Sequence, residues 1–259
     1  DEAAALVFHA LGLAHGSAPA CYARPVSAAR AARAAALVER RIALRVPSAY
    51  LTGVTWFAGH EIRVTPDVLV PRSPIAELCQ RGFEPWIDAR KVRRVLDIGT
   101  GSGCIAIAAA HALPGARVDA TDISGPALAV ARANVRRHRL GRRVRVRRAD
   151  VYAGLGRRRY DVIVSNPPYV SVAEMRELPP EYRAEPAIGL RAARQGLAII
   201  ERIVRGARQH LTPDGILVVE AGDTAGAVRR RFPQLPFIWL EFERGGGGVF
   251  LLRAADLPR

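Results

Sequence analysis

The sequence predicts an α/β protein built on a parallel, doubly wound sheet. From Val92 onward, short apolar runs alternate with helical stretches, a pattern typical of parallel strands whose connecting helices cover both faces of a sheet. The 259 residues are 49% apolar, enough for one large domain with or without a small second one. No apolar run reaches the roughly 18 residues of a membrane span, so we expect no membrane association.

The amino-terminal part is predicted to be helical. Residues 1–48 are alanine-rich with helical spacing, and Pro19, Pro25 and Pro47 interrupt them. We expect a small helical domain there, truncated because the chain does not begin with Met. Residues 49–75 are predicted to link it, through a β-hairpin around Gly59-His60, to a main domain over 76–259.

The main domain is predicted to hold seven strands. Five parallel strands are expected at 92–98, 117–122, 144–150, 161–165 and 215–220. Helices are expected between them at 104–112, 126–139 and 196–210. A closing hairpin over 237–243 and 248–252, joined by a glycine turn, adds two strands to the sheet edge.

The ends of the first three strands predict a nucleoside site. Ligands of open parallel sheets bind beyond the carboxyl ends of the strands, and glycines there let the backbone approach a ligand closely. Asp122 can accept both ribose hydroxyls, although a plain strand-end turn residue is the alternative; Asp150 lies where an adenine amino group could be met. The alternating glycines are out of register for a dinucleotide motif. The candidate cofactor-binding residues are Asp97, Gly99, Thr100, Gly101, Ser102, Gly103, Asp122, Ile123, Asp150, Val151 and Asn166.

The fourth strand ends in Asn166-Pro167-Pro168-Tyr169, the candidate catalytic residues. Two prolines lack N–H groups and fix φ, so the chain leaves the sheet in a stiff, extended turn. Such a turn holds unpaired backbone carbonyls beside the Asn166 amide, a rigid set of acceptors for a planar amino group. The alternative is a strand followed by an ordinary proline-rich loop.

The charge distribution indicates an RNA-related partner. The net charge is +15, and arginines crowd residues 136–148, where they would attract RNA or an RNA-bound protein. A solvated helix end and sheet edge is the alternative. No aromatic residue interleaves with these arginines, so a base-stacking surface is not predicted.

Cysteine and histidine usage predicts neither disulfides nor a metal site. Cys21, Cys79 and Cys104 are widely spaced, which agrees with a reducing, cytosolic setting. No histidine pair has the sequence spacing of metal ligands. The six histidines are His9, His15, His60, His111, His138 and His210.

The glycine-rich segment 97–103, Asp122 and the segment 166–169 resemble the S-adenosylmethionine-dependent methyltransferases that modify planar amino groups. More closely, the chain resembles the protein-glutamine N5-methyltransferases, whose branches act on release factors and on the large-subunit ribosomal protein L-three. The release-factor branch carries Pro-Arg-Pro-Asp-Thr-Glu where this chain has Pro-Arg-Ser-Pro-Ile-Ala-Glu at 71–77. Segments matching the ribosomal-protein branch are 50–53, 56–59, 68–78, 178–183 and 239–243.

This resemblance implies a seven-stranded methyltransferase sheet, S-adenosyl-L-methionine as cofactor and N5-methylation of a ribosomal-protein glutamine in the cytoplasm. The substrate would be met free or on an assembling large subunit. Arg72 would line the substrate channel or form a surface ion pair. Three alternatives stay open: a release-factor methyltransferase, a nucleic-acid amino methyltransferase and a non-enzymatic RNA-binding factor. The charge favours the nucleic-acid enzyme, but residues 170–195 are too few for an inserted base-recognition domain.

Overall fold

The computed structural model describes residues 2–13, 19–168, 180–186 and 197–258. Its first part is helical, as predicted, and α1 packs against both following helices. Helix α2 begins after Ser27, whose side chain accepts a hydrogen bond from the Arg30 N–H and so caps the helix. These helices are α1 (Glu2–Leu11), α2 (Ala28–Leu44) and α3 (Ser48–Thr52).

A separate two-stranded hairpin follows the helices. Strands β1 (Val54–Phe57) and β2 (His60–Arg63) pair antiparallel. The turn residues are Ala58 and Gly59, both at positive φ, so His60 is the first residue of β2 and not a turn residue as predicted. An extended stretch then leads into the short helix α4 (Ile75–Gln80).

The main sheet has seven strands, in the order β5-β4-β3-β6-β7-β9-β8. Strands β3 to β7 run parallel, and β9 is antiparallel to both β7 and β8, which confirms the doubly wound fold with a terminal hairpin. The strands are β3 (Arg94–Ile98), β4 (Arg117–Asp122), β5 (Val144–Arg148), β6 (Tyr160–Ser165), β7 (Leu211–Glu220), β8 (Ile238–Leu240) and β9 (Val249–Arg253).

Within the described residues, four helices cover the two faces of this sheet. They are α5 (Cys104–Ala112), α6 (Gly125–Arg137), α7 (Leu197–His210) and α8 (Ala225–Arg231). Among the helices of the described residues, none combines the length and apolar character needed to cross a bilayer.

The core has two halves, one on each face of the sheet. Alternate residues of a strand enter opposite halves: Val95 of β3 packs towards α5, whereas Leu96 packs towards α7. Val164 and Ile163 of β6 divide in the same way. Strands buried on both faces read as continuous apolar runs, which is why the sequence revealed them.

The strand order reverses between β3 and β6, which lie side by side. Ile98 at the end of β3 is opposite Ser165 at the end of β6. The loops that follow these two strands therefore meet in one crevice, the position at which open α/β sheets bind ligands.

Candidate active site

The loop after β3 is shaped by three glycines. Gly99, Gly101 and Gly103 have φ values of +72°, +53° and +84°, a region that L side chains rarely adopt. A Cβ on Gly103 would lie 3.3 Å from the Cβ of Ala131, so glycine at this position lets α5 and α6 approach each other closely. Nothing lies within 4 Å of the corresponding position on Gly101, which leaves its backbone open to a ligand.

Asp97 lies at the base of this loop and is completely buried. Its Oδ2 atom accepts hydrogen bonds from the Thr100 hydroxyl at 2.5 Å and the Ala106 N–H at 3.1 Å. Its Oδ1 atom is buried and has no hydrogen-bond partner among the described residues. Burial raises the pKa of Asp97 to about 7, against the lowering effect of its two hydrogen bonds. An unpartnered acceptor there fits a ligand group that carries N–H donors or positive charge.

Asp122, at the end of β4, holds the glycine loop from the other side. One carboxylate oxygen accepts from the Gly101 N–H and the other from the Ser124 N–H, both at 2.9 Å. The half-buried carboxylate keeps further lone pairs for hydroxyl donors. Ile123 beside it is 48% exposed, an unusual position for a large apolar side chain. A carboxylate next to an apolar surface is a donor set that fits a nucleoside.

The segment after β5 adjoins this site, but its carboxylate has another partner. The Ala149 N–H donates to the Asp122 carbonyl at 3.1 Å, which brings the two strand ends together. The Asp150 carboxylate pairs with Arg202 of α7 at 2.9 Å. Val151 is buried and at positive φ. Contacts of Asp150 and Val151 with an adenine ring remain a prediction.

The Asn166-Pro167-Pro168 turn lies directly against the glycine loop. The Ser165 hydroxyl donates to the Ile98 carbonyl at 2.7 Å and ties the ends of β6 and β3 together. A Cβ on Gly99 would lie 4.0 Å from the backbone oxygen of Asn166. Pro167 is buried, whereas Asn166 and Pro168 are half-buried. The structure thus joins the predicted acceptor turn to the predicted cofactor loop; Tyr169 lies outside the described residues.

Asn134 of α6 supports the same loop and was missed by the sequence analysis. Its side-chain amide donates to the Ser102 carbonyl at 2.8 Å and to the Arg63 carbonyl at 2.9 Å. Its Oδ1 atom accepts from the Arg63 N–H at 2.9 Å. This fully buried side chain therefore links the hairpin to the glycine loop. Its signal was a polar residue on the apolar face of a predicted helix, three residues after Ala131.

Arg72 forms an ion pair with Glu185. The two side chains meet at 2.6 Å, the Glu185 side chain is 1% exposed, and the Arg72 guanidinium lies 4.5 Å from the centre of the Tyr182 ring. The next residue, Ser73, donates through its hydroxyl to Glu220 at the carboxyl end of β7. The segment around Arg72 is thus fixed between residues 180–186 and the sheet edge that carries the site. Its role in a substrate channel remains a prediction.

Known proteins resemble the chain over nearly its whole length. It is 46% identical over 257 residues to the ribosomal protein uL3 glutamine methyltransferase of Xanthomonas campestris, covering 99% of this chain and 83% of the relative. It is 48% identical over 257 residues to the enzyme of that name from Xylella fastidiosa, covering 99% and 82%. The chain belongs to the ribosomal protein uL3 glutamine methyltransferase family.

Two further comparisons agree with membership in this glutamine methyltransferase family. Residues 84–178 match the model of the methyltransferase small domain, a range that contains β3 to β6 and the Asn166 turn. A solved methyltransferase from Pyrococcus furiosus shares the fold, with a TM-score of 0.55 at 19% identity over 88% of this chain and 99% of the other. Together these comparisons confirm the predicted fold, the methyltransferase class and S-adenosyl-L-methionine as cofactor.

Three histidines of this methyltransferase that are far apart in the sequence are neighbours in the fold. His60, His111 and His138 lie together, with one ring nitrogen from each within 4.8 Å of the others. Sequence spacing could not reveal this cluster, because its members come from a hairpin and two different helices.

Proposed function

We propose that this chain transfers a methyl group from S-adenosyl-L-methionine to the side-chain amide nitrogen of a glutamine in ribosomal protein uL3. The support from relatives is 46–48% identity over 99% of the chain. The observation that carries the mechanism is the position of the Asn166 carbonyl next to Gly99, because it joins an acceptor turn to the loop that is suited to a nucleoside.

The cofactor is held by residues at the ends of β3 and β4. The Asp122 carboxylate accepts the ribose hydroxyls, and Ile123 packs against the base. The unpartnered Oδ1 of Asp97 accepts from the charged amino-acid end. When bound, the cofactor supplies a methyl carbon on a sulfonium, so that transfer forms a C–N bond as a C–S bond breaks.

The protein's own contribution is to position the glutamine amide. That nitrogen is a poor nucleophile because its lone pair is delocalised into the carbonyl. Asn166 Oδ1 and the Pro167 carbonyl accept its two hydrogens, which orients the nitrogen and favours an electron-rich, more pyramidal geometry. The surplus proton is lost after attack. Positioning supplies roughly 7–11 kcal/mol of barrier reduction in well-oriented reactions, so no strong base is required.

The substrate approaches past the segment that contains Arg72. The buried Glu185 carboxylate and the Tyr182 ring hold the guanidinium at the border between residues 68–74 and 180–186. We assign Arg72 to the wall of the substrate channel on this basis. Residues 1–48 then form the amino-terminal helical domain, 49–75 the linking segment and 76–259 the catalytic domain.

Contact with RNA of an assembling large subunit, in the cytoplasm where uL3 is made, is part of the same proposal. Exposed arginines lie at the end of α6 and along the edge strand β5: Arg136, Arg139, Arg142, Arg145 and Arg148. A cleft of about 690 Å³ at the amino ends of β3 and β6 is lined by Arg93, Arg94, Arg157, Arg158 and Arg159. Such clusters attract RNA phosphates, so affinity for ribosomal RNA should fall steeply with salt concentration. If the chain bound no ribosomal RNA, or bound it with an affinity that did not depend on salt, the proposed RNA contact would be wrong.

A competition assay tests the proposed substrate. The purified chain is given isotopically labelled S-adenosyl-L-methionine and an equimolar mixture of uL3, a release factor and free ribosomal RNA. We expect label on uL3, located by mass spectrometry on one glutamine side chain. Replacement of that glutamine by glutamate should abolish labelling. Label on the release factor or on RNA in place of uL3 would overturn the assignment.

A further inference from the structure

Three histidines from three elements meet on the surface away from the glycine loop. His60 begins β2, His111 lies in the last turn of α5, and His138 follows the last residue of α6. One ring nitrogen of each lies within 4.8 Å of the others. The His60 and His111 rings stack with their centres 4.3 Å apart.

The spacing of two of these nitrogens matches that of ligands on a tetrahedral metal. His111 Nε2 and His138 Nδ1 are 3.4 Å apart. Two nitrogens that each lie about 2.0–2.1 Å from a tetrahedral zinc ion are separated by roughly 3.3–3.4 Å. Two neutral imidazoles at this distance can also form a hydrogen bond with each other, so the separation alone does not distinguish a hydrogen bond from a metal site.

The hydrogen bonding of His138 favours a ligand role. Its Nε2 atom lies 2.8 Å from the Glu61 carbonyl oxygen, which can only accept, so Nε2 carries the proton. Nδ1 therefore presents its lone pair towards His111. Metal-binding histidines characteristically donate their second ring N–H to a carbonyl or carboxylate in this way.

The electrostatic surroundings are compatible with a cation. Two helix carboxyl ends, each with partial negative charge, converge on the cluster. Burial and the neighbouring histidines lower the pKa of His60, and burial, His138 and Arg143 lower that of His111. The positive charge of Arg143 disfavours a bound cation. Its guanidinium is, however, held by hydrogen bonds to the Ala110 and Leu113 carbonyls at the end of α5. Arg137 is paired with Glu61.

We propose that His60, His111 and His138 bind one Zn²⁺ ion, with water at the fourth position. Three imidazoles suit zinc and its neighbours in the first transition row, whereas Mg²⁺ and Ca²⁺ require oxygen ligands. The ion fastens the β1–β2 hairpin to α5 and α6. It thereby holds in place the hairpin that leads into the Arg72 segment, and it takes no part in methyl transfer.

Calorimetry with Zn²⁺ on the tag-free, chelator-treated full chain tests this site. We expect one ion per chain, and a loss of affinity of more than tenfold in each of His111→Gln and His60→Gln. His9→Gln is the matched control, because His9 is an exposed histidine of α1 outside the cluster. Absence of stoichiometric binding, or equal affinity in the wild type and both cluster variants, would overturn the proposal.

Thermal unfolding gives a second readout that is independent of methyl transfer. Zinc at about 100 times its dissociation constant shifts the folding equilibrium about 100-fold, which corresponds to a Tm increase of roughly 5–10 °C for a chain of this size. The same increase is expected for His9→Gln and none for His111→Gln. Circular dichroism establishes that the variants are folded, and an equal Tm increase in His111→Gln would contradict the site. Failure of the glutamine methylation assay leaves both readouts intact.

Discussion

Two regions near the candidate active site, a cofactor side and a proposed substrate side, are held in place by different forces. On the cofactor side, residues 97–103 are fixed by the carboxylates of Asp97 and Asp122, by backbone N–H donors and by a close helix contact at Gly103. On the proposed substrate side, residues 180–186 are fixed by ion pairs to distant parts of the chain, Glu185 to Arg72 and Glu181 to Arg41. The cofactor side should therefore respond to pH and to steric change, and the substrate side to salt and to charge substitution.

The largest effect is expected where the two sides meet, at Asn166. Asn166→Ala removes a pre-aimed acceptor, and the loss of one such group typically lowers kcat about 10²–10³-fold. Cofactor affinity should change little, because Asp97 and Asp122 are intact. Steady-state kinetics with calorimetry separates these quantities, and Asp214→Ala at the exposed amino end of β7 serves as the control. Unchanged kcat would exclude Asn166 from the mechanism.

Asp122→Ala is expected to weaken cofactor binding without affecting the proposed substrate side. Each charge-assisted hydrogen bond contributes about 1.5–3 kcal/mol, so losing one ribose contact weakens cofactor binding roughly 10- to 150-fold. Asp150→Asn is the informative comparison, since Asp150 already pairs with Arg202. Titration calorimetry that finds equal affinities for wild type and Asp122→Ala would contradict the assignment. A loss in Asp150→Asn would place Asp150 against the adenine.

Asp97 should give the cofactor side its own pH dependence. The folded protein retains this proton up to about pH 7, whereas the unfolded chain releases it near its ordinary pKa of 3.8. Between these values each unit of rising pH therefore lowers the free energy of unfolding by about 1.4 kcal/mol, with no further change above or below them. Urea unfolding of the ligand-free protein from pH 5 to 8 tests this. Asp97→Asn should gain stability relative to wild type as pH rises, and parallel profiles would be inconsistent with the raised pKa.

The smallest effect is expected from Glu185→Gln on the substrate side. The substitution keeps one acceptor oxygen, replaces the other by an NH2 donor and removes the negative charge, so it weakens the contact that holds Arg72. We expect the KM for uL3 to rise a few-fold, with kcat and cofactor affinity unchanged, because the partners that Arg72 has among the described residues, Glu185 and Tyr182, lie outside both the cofactor loop and the Asn166 turn. Glu201→Gln on α7, which also loses arginine partners, is the charge-matched control. If wild type and Glu185→Gln had equal KM values for uL3 at low salt, Arg72 would have no role in substrate binding.

The sequence predicted the cofactor side well and the substrate side poorly, for a physical reason. Buried parallel strands are continuous apolar runs, and their carboxyl ends must share one edge, so Asp122 and Asn166 could be placed near Gly99 without coordinates. The strand ends were less accurate. β5 stops at Arg148 and not at Asp150, because Val151 at positive φ bends the chain away.

Side-chain contacts between distant segments could not be predicted. Arg72 and Glu185 are 113 residues apart, and Asn134 and Arg63 are 71 apart. The histidine cluster likewise depends on where a hairpin docks on two helices. These contacts depend on how elements pack, about which local spacing carries no information.

The Asn134 side chain has a mechanical consequence. Its amide touches both the hairpin strand at Arg63 and the floor of the nucleoside crevice at Ser102. If a ribosomal protein bound to the hairpin and displaced it, the Asn134 amide would be displaced too, and this amide also holds the loop at Ser102. By reciprocity, a ligand bound in the crevice would make the hairpin at Arg63 more rigid. The Asn134 side chain can thus couple binding at the hairpin to binding in the crevice.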